Sequence, residues 1–280
     1  MEIRQDTVKA DGLTFGVLTC GDSGPLALCL HGFPDSAHTY RHLLPSLASA
    51  GFRAVAPWLR GYDPTEIPAD GDFSIGRLAA DANALHASLG GDSDSVLIGH
   101  DWGAMTSYVA GASAPDRWRR MVTMAVPPPK TASGAFMNYR QLKRSFYIFL
   151  FQTGLAPVVG MDDLAFIDGL WADWSPGYDA STDLPAVKDA LRNPDNLMAA
   201  IGYYRAMFEP HGAPSSSDFA QPTLYLHGDN DGAFGVEGVA GASDELPAGS
   251  RVEIVAGTGH FLHLEKPAEI NRLIVDWVSG

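Results

Sequence analysis

Val96-Leu97-Ile98-Gly99-His100-Asp101-Trp102-Gly103-Ala104 is the stretch on which the reading of the fold turns. A short apolar run enters a G-x-D-x-G pattern and continues into a segment of helical composition. A run of this length and apolarity suits a strand covered on both faces. Small residues on either side of Asp101 permit a tight, strained turn that lifts the central side chain above the end of a sheet. A carboxylate displayed in this way can act as a nucleophile, or it can simply cap the helix that follows. The neighbouring segments have to decide between the two.

Upstream, Leu26–Leu30 (LALCL) is a second wholly apolar run, and it ends at His31-Gly32-Phe33-Pro34. Phe52 to Pro57 (FRAVAP) is another strand candidate, and Ser95 to Gly99 opens the elbow itself. Between them Ile75, Leu78, Ala82, Leu85 and Leu89 recur at helical spacing. Strand, helix and strand in alternation predict a parallel sheet with crossover helices. Met121 to Val126 (MVTMAV) continues the pattern until Pro127-Pro128-Pro129 breaks it. From about Thr131 to Ser217 the alternation gives way to aromatic-rich helical segments carrying Phe146, Tyr147, Phe149, Phe151, Phe166, Trp171, Trp174, Tyr203, Tyr204 and Phe208, closed by the flexible composition Gly212 to Asp218. Thr223 to His227 (TLYLH) and Arg251–Val255 (RVEIV) then resume the strands. A last helix from Pro267 is expected to bury Ile270, Leu273, Ile274 and Trp277. The expected organisation is a core of residues 1–130 and 218–280 with a helical cap, 131–217, inserted into it.

The 280 residues suffice for one large core with an inserted lobe. Nineteen Lys and Arg against 33 Asp and Glu give a formal charge of −14, which disfavours nucleic acid and anionic lipid as partners. No apolar run reaches the roughly 20 residues that span a bilayer, and the start MEIRQDTVKADGL lacks a signal-peptide core. Cys20 and Cys29 sit in apolar runs without metal-ligand spacing, as buried thiols of a reducing compartment. A cytoplasmic protein without membrane association is expected, and a homodimer is compatible with it.

Three further segments bear on Asp101. The backbone N–H after Gly32, that of Phe33, can face the elbow and join the N–H of Trp102 in an oxyanion hole. Gly257-Thr258-Gly259-His260-Phe261 follows a strand candidate near the C-terminus, where His260 can serve as a base near neutral pH. Histidines such as His38, His86 and His211 are read as surface bystanders. His227-Gly228-Asp229-Asn230-Asp231 ends another strand and offers two carboxylates that could orient His260. The loop after MVTMAV, VPPPK, holds no acid. The chain order is therefore Asp101, an acid at 229 or 231, and His260, which is the nucleophile, acid and base order of the α/β-hydrolase fold.

On these motifs, from HGFP to GTGHFLHLEKP, the chain resembles an epoxide hydrolase of the Asp-nucleophile branch of the α/β-hydrolase superfamily, related to haloalkane dehalogenases. The resemblance implies an α/β-hydrolase fold, a mostly parallel sheet flanked by helices with an inserted cap. It selects Asp231 as the acid, three residues after Gly228. It also implies two cap tyrosines that protonate the epoxide oxygen: Tyr204 in Tyr203-Tyr204-Arg205, and Tyr147 ahead of Phe151-Gln152, with Tyr139 the fallback. Phenols remain protonated at neutral pH and can supply the proton an alkoxide needs, whereas halide needs none. His31, Pro34, Trp102 and Phe151 are implied substrate contacts, and Arg60-Gly61-Tyr62 a structural loop. The implied reaction, suited to detoxification, takes a small apolar epoxide to a vicinal diol with no metal or organic cofactor. The alternatives are dehalogenation of a neutral haloalkane, or a silent receptor for a small apolar ligand. Trp102, standing where fluoroacetate-type dehalogenases carry Arg, disfavours an anionic substrate.

Overall fold

A computed structural model of the chain describes residues 1–209 and 218–280. His211 and most of the expected Gly212 to Asp218 exit lie outside the described residues. Eight strands form one sheet in the order β1-β2-β4-β3-β5-β6-β7-β8. They are β1 (Arg4–Ala10), β2 (Leu13–Cys20), β3 (Leu26–Leu30), β4 (Arg53–Pro57), β5 (Val96–His100), β6 (Arg120–Met124), β7 (Thr223–Gly228) and β8 (Arg251–Val255). The β1–β2 and β2–β4 pairs are antiparallel and all the others parallel. The parallel strands β3, β5 and β7 are buried along their whole length, as a sheet covered on both faces requires. This is the α/β-hydrolase fold.

The core helices are α1 (Leu43–Ser49), α2 (Ile75–Ser88) and α3 (Trp102–Ser113). In α2 the inward stripe is Leu78, Ala82 and Leu85, with Ile75 and Leu89 half-buried at its ends. Between β6 and β7 the chain inserts α4 (Pro129–Phe136), α5 (Tyr139–Arg144), α6 (Phe146–Phe151), α7 (Ala165–Trp174), α8 (Leu184–Leu191) and α9 (Pro194–Ala206). After β7 come α10 (Ala242–Glu245), α11 (Leu262–Glu265) and α12 (Pro267–Ser279). In α12 the buried positions are Ile270, Ile274 and Val278. Leu273 and Trp277 are only half-buried; the Trp277 indole N–H donates to the Met121 carbonyl and Arg120 lies over its ring.

Arg60 is wholly buried and forms a two-pronged pair with Asp81 of α2, at 2.5 and 2.6 Å. Its carbonyl accepts the Tyr203 hydroxyl of α9 at 2.7 Å, and Asn196 of the same helix donates to the Gly61 carbonyl. The Arg60–Gly61 backbone is thereby a mooring for the inserted helices. His86, expected at the surface, is buried instead: its ring packs edge-on to Trp118 and its Nε2 meets the Asp92 carbonyl at 3.1 Å. Both cysteines are free and buried.

Candidate active site

β5 delivers Asp101 to the carboxyl end of the sheet with φ 53° and ψ −117°, a conformation that L-residues seldom adopt. Two glycines make room for it. A Cβ on Gly103 would lie 1.9 Å from the Leu30 carbonyl oxygen, and one on Gly99 2.1 Å from that of Gly103. Gly32 is constrained by Asp101 itself, since a Cβ there would come within 2.3 Å of Asp101 Oδ1.

Asp101 Oδ1 accepts the Phe33 backbone N–H at 2.8 Å, and the Trp102 backbone N–H also bonds this carboxylate. Oδ2 faces His260, whose Nε2 stands 3.7 Å away with no hydrogen-bond partner among the described residues. His260 Nδ1 meets Asp231 Oδ2 at 3.0 Å. Asp231 is itself fixed, its Oδ1 accepting the backbone N–H groups of Ala233 and Phe234 at 2.7 and 2.9 Å. Asp229, the other acidic candidate, is exposed and caps the Gly257 N–H instead, so it does not reach the imidazole.

Burial pushes the Asp101 carboxyl above its ordinary range, against the pull of His260 and the two backbone donors. Burial also opposes charge on His260, but the Asp231 and Asp101 carboxylates outweigh it and raise the imidazole above its ordinary value. The side of His260 away from Asp231 presents Nε2, without a hydrogen-bond partner among the described residues, toward the Asp101 carboxyl.

Aromatic side chains of the insertion close over this group. Tyr204 of α9 packs against Phe33, Trp102, Tyr147 and Phe151 with ring centroids 5.1–5.6 Å apart. Its buried hydroxyl has no hydrogen-bond partner among the described residues. Burial raises both Tyr147 and Tyr204 well above the ordinary phenol range, and the Asp101 charge adds to the shift in each. Tyr139 is 81% exposed at the start of α5 and takes no part.

Two residues do not present themselves as expected. His31 has both ring nitrogens engaged by backbone, Nδ1 with the Gly32 carbonyl and Nε2 with the Leu59 N–H, and burial lowers it to about 4. It therefore acts as a neutral spacer behind the site and offers no polar atom to a ligand. The Pro34 carbonyl is taken by the Trp171 indole N–H at 2.8 Å, which ties the HGFP turn to α7.

The composition of the insertion hid one contributor. The Trp174 carbonyl at the end of α7 accepts the backbone N–H groups of both His260 and Gly232, at 3.0 Å each, and its ring lies 5.0 Å from the imidazole. Ser175 Oγ accepts the Phe261 N–H and donates to Glu265, which in turn receives the Gly259 N–H. The loop that carries His260 is therefore held from both sides of that residue. Trp174 was visible only as one aromatic among many, and no local pattern marks Ser175 or Glu265.

With this geometry in view, the relatives are informative. The α/β-hydrolase fold family matches residues 25–267. The chain is 30% identical over 289 residues to epoxide hydrolase 3 of Xenopus tropicalis, covering 97% of this chain and 76% of that protein. It is also 30% identical to epoxide hydrolase 2 of Siraitia grosvenorii, with 99% of each chain covered. The crystal structure of a Bacillus megaterium epoxide hydrolase in complex with an inhibitor superposes with a TM-score of 0.87 at 25% identity, covering 98% of this chain and all of that one. A carboxylate on a strained strand-to-helix turn, the sheet that carries it and these full-length likenesses agree, and the chain belongs to the epoxide hydrolases of the α/β-hydrolase family.

Proposed function

We propose that the protein hydrolyses a small apolar epoxide to a vicinal diol through a covalent ester on Asp101. Asp101 Oδ2 attacks an epoxide carbon, the ring C–O bond breaks, and the leaving oxygen takes a proton from Tyr204 or Tyr147. Water between His260 and the ester then gives its proton to Nε2 as its oxygen adds to the Asp101 carboxyl carbon. The negative charge that develops on Oδ1 rests on the N–H groups of Phe33 and Trp102. Collapse of that adduct releases the diol oxygen, which takes the proton from His260, and the new carboxyl passes its remaining proton through water to the tyrosinate, restoring both the carboxylate and the phenol. Asp231 holds the Nδ1–H tautomer and balances the imidazolium.

The observation that carries this reading is the buried, unpartnered Tyr204 hydroxyl packed beside Trp102 and Tyr147 over the nucleophile. A buried hydroxyl without a partner costs stability, and a leaving alkoxide is the partner whose chemistry needs it. In this reading residues 131–217 act as the cap over a core of 1–130 and 218–280, and Phe151 with Trp102 forms apolar wall. Among the described residues no helix is long and apolar enough to cross a membrane.

The test is the intact mass of His260→Ala after incubation with separate pools of epoxides and haloalkanes. An adduct of whole-epoxide mass, absent in the Asp101→Ala, His260→Ala double variant, is expected. An alkyl adduct from the halide pool alone would make the protein a dehalogenase. No adduct from either pool would reject the ester mechanism.

A further inference from the structure

Three buried side chains the hydrolytic mechanism does not use converge behind the base: Asp35 just after the HGFP turn, His100 just before the nucleophile, and His263 on α11. All are at most 2% exposed. One atom from each, Asp35 Oδ2, His100 Nδ1 and His263 Nδ1, lies buried without a hydrogen-bond partner among the described residues. A ligand atom from each of the three lies within 4.8 Å of the others, and His100 Nδ1 is 3.9 Å from Asp35 Oδ2.

The surrounding hydrogen bonds decide what these atoms offer. His100 Nε2 meets the His260 carbonyl at 2.9 Å, and since a carbonyl only accepts, that nitrogen carries the proton and Nδ1 presents a lone pair. His263 Nε2 meets Thr39 Oγ1 at 2.6 Å. Either Thr39 Oγ1 or that nitrogen can hold the proton of this bond. A bound cation selects the arrangement in which Thr39 accepts and His263 Nδ1 presents its lone pair. Asp35 Oδ1 is occupied by the Ser36 N–H at 2.7 Å, leaving Oδ2 as the third ligand atom. Burial pushes the Asp35 carboxyl up to about 8, so at neutral pH it holds a proton that a bound metal ion would displace.

From this convergence we infer that Asp35, His100 and His263 form a buried binding site for one divalent transition-metal ion of the zinc class. Two imidazoles and a carboxylate suit such an ion. Each imidazole already has its far nitrogen anchored by an oxygen, the outer arrangement that orients metal-binding histidines. Burial keeps both rings neutral, His263 down to about 3, as a ligand nitrogen must be. Ligand atoms about 2.0–2.2 Å from zinc stand roughly 3.3–3.6 Å apart, so the three close by about an ångström on loading.

The site is independent of the hydrolytic reading, and its test reads binding rather than turnover. Metal-stripped full-length protein is dialysed to equilibrium against Zn²⁺, and in parallel against Co²⁺. One bound equivalent is expected, with the visible absorption of four-coordinate nitrogen and oxygen ligation for Co²⁺. Binding should weaken at least 10-fold in His263→Asn and in Asp35→Asn, but not in His38→Asn. Because a buried substitution can disturb the fold, wild-type crystals equilibrated with Zn²⁺ give a second measure. An anomalous peak between the three atoms is expected there, whereas an ordered water in that position, or zinc bound only elsewhere, overturns the site. Undiminished stoichiometric binding in both variants overturns it equally.

Discussion

At the level of single residues, His260 sets the pH behaviour. Its imidazole is raised above the ordinary 6.5 because Asp231 and Asp101 outweigh its burial. A protonated ring cannot take the proton of the attacking water, so hydrolysis of the ester should fall as pH drops, with Asp231 still holding the ring's value up once Asp101 is esterified and uncharged. Asp101, raised by burial, loses its charge on the same acidic side, so ring opening also weakens there. The linked stability runs the other way. Because the folded value exceeds the unfolded one, the protonated ring supports the fold fully below about 6.5, and that support is lost as pH rises through the folded value. Single-turnover ester decay followed from pH 5.5 to 9 checks the kinetic part, and a rate independent of pH across that range would refute it. Tyr204 bears on the other step. Tyr204→Phe should slow ring opening by roughly 10²- to 10⁴-fold, the usual scale of a lost general acid, while leaving ester decay nearly unchanged. Equal slowing of both steps would mean that the phenol only packs.

Among the elements, the β5-to-α3 turn is the most constrained. Gly103→Ala puts a methyl against the Leu30 backbone, which cannot move without shifting β3 and the Phe33 donor attached to it. The expected loss is about 1–3 kcal/mol or more, as for overpacking of a rigid site. Gly134→Ala in the exposed part of α4 meets nothing within 4 Å and should raise stability by up to about 1 kcal/mol on helix propensity. Urea midpoints of the two variants give the comparison, and a destabilised Gly134→Ala or a neutral Gly103→Ala would contradict it. The same scale explains which elements could be read in advance. The β3 and β8 bounds are those expected from LALCL and RVEIV, whereas the β1–β2 hairpin was not anticipated. β1 is exposed along most of its length, so RQDTVKA carries no apolar alternation to announce it.

Across the whole molecule, the inserted helices and the core together hold the candidate site. Trp174 and Ser175 hold the backbone around His260, Trp171 holds Pro34, and Tyr203 holds Arg60. Ser175→Ala removes the link between the Phe261 N–H and Glu265, at a cost of about 1–3 kcal/mol for the donor left unpaired. It should also slow ester decay with little change in ring opening, since the loosened segment carries the base and not the nucleophile. Thermal unfolding with single-turnover kinetics tests both parts, and normal decay in a destabilised variant would show that the clamp serves stability alone.

Strand-helix alternation, the Gly-framed Asp101 and the order of Asp101, an acid at 229 or 231, and His260 were legible in the sequence. Each rests on local spacing, and spacing decides backbone conformation and chain order. Other matters were decided only by the tertiary structure. Asp231 rather than Asp229 meets the imidazole, and Tyr147 rather than Tyr139 lies beside Tyr204. His31 turns out to be sealed by backbone. The Trp174–Ser175 clamp and the cluster of Asp35, His100 and His263 join residues from distant parts of the chain. The physical reason is common to all of them: the direction of a side chain leaving a loop depends on what packs against it, and those partners come from segments whose separation along the chain carries no local pattern.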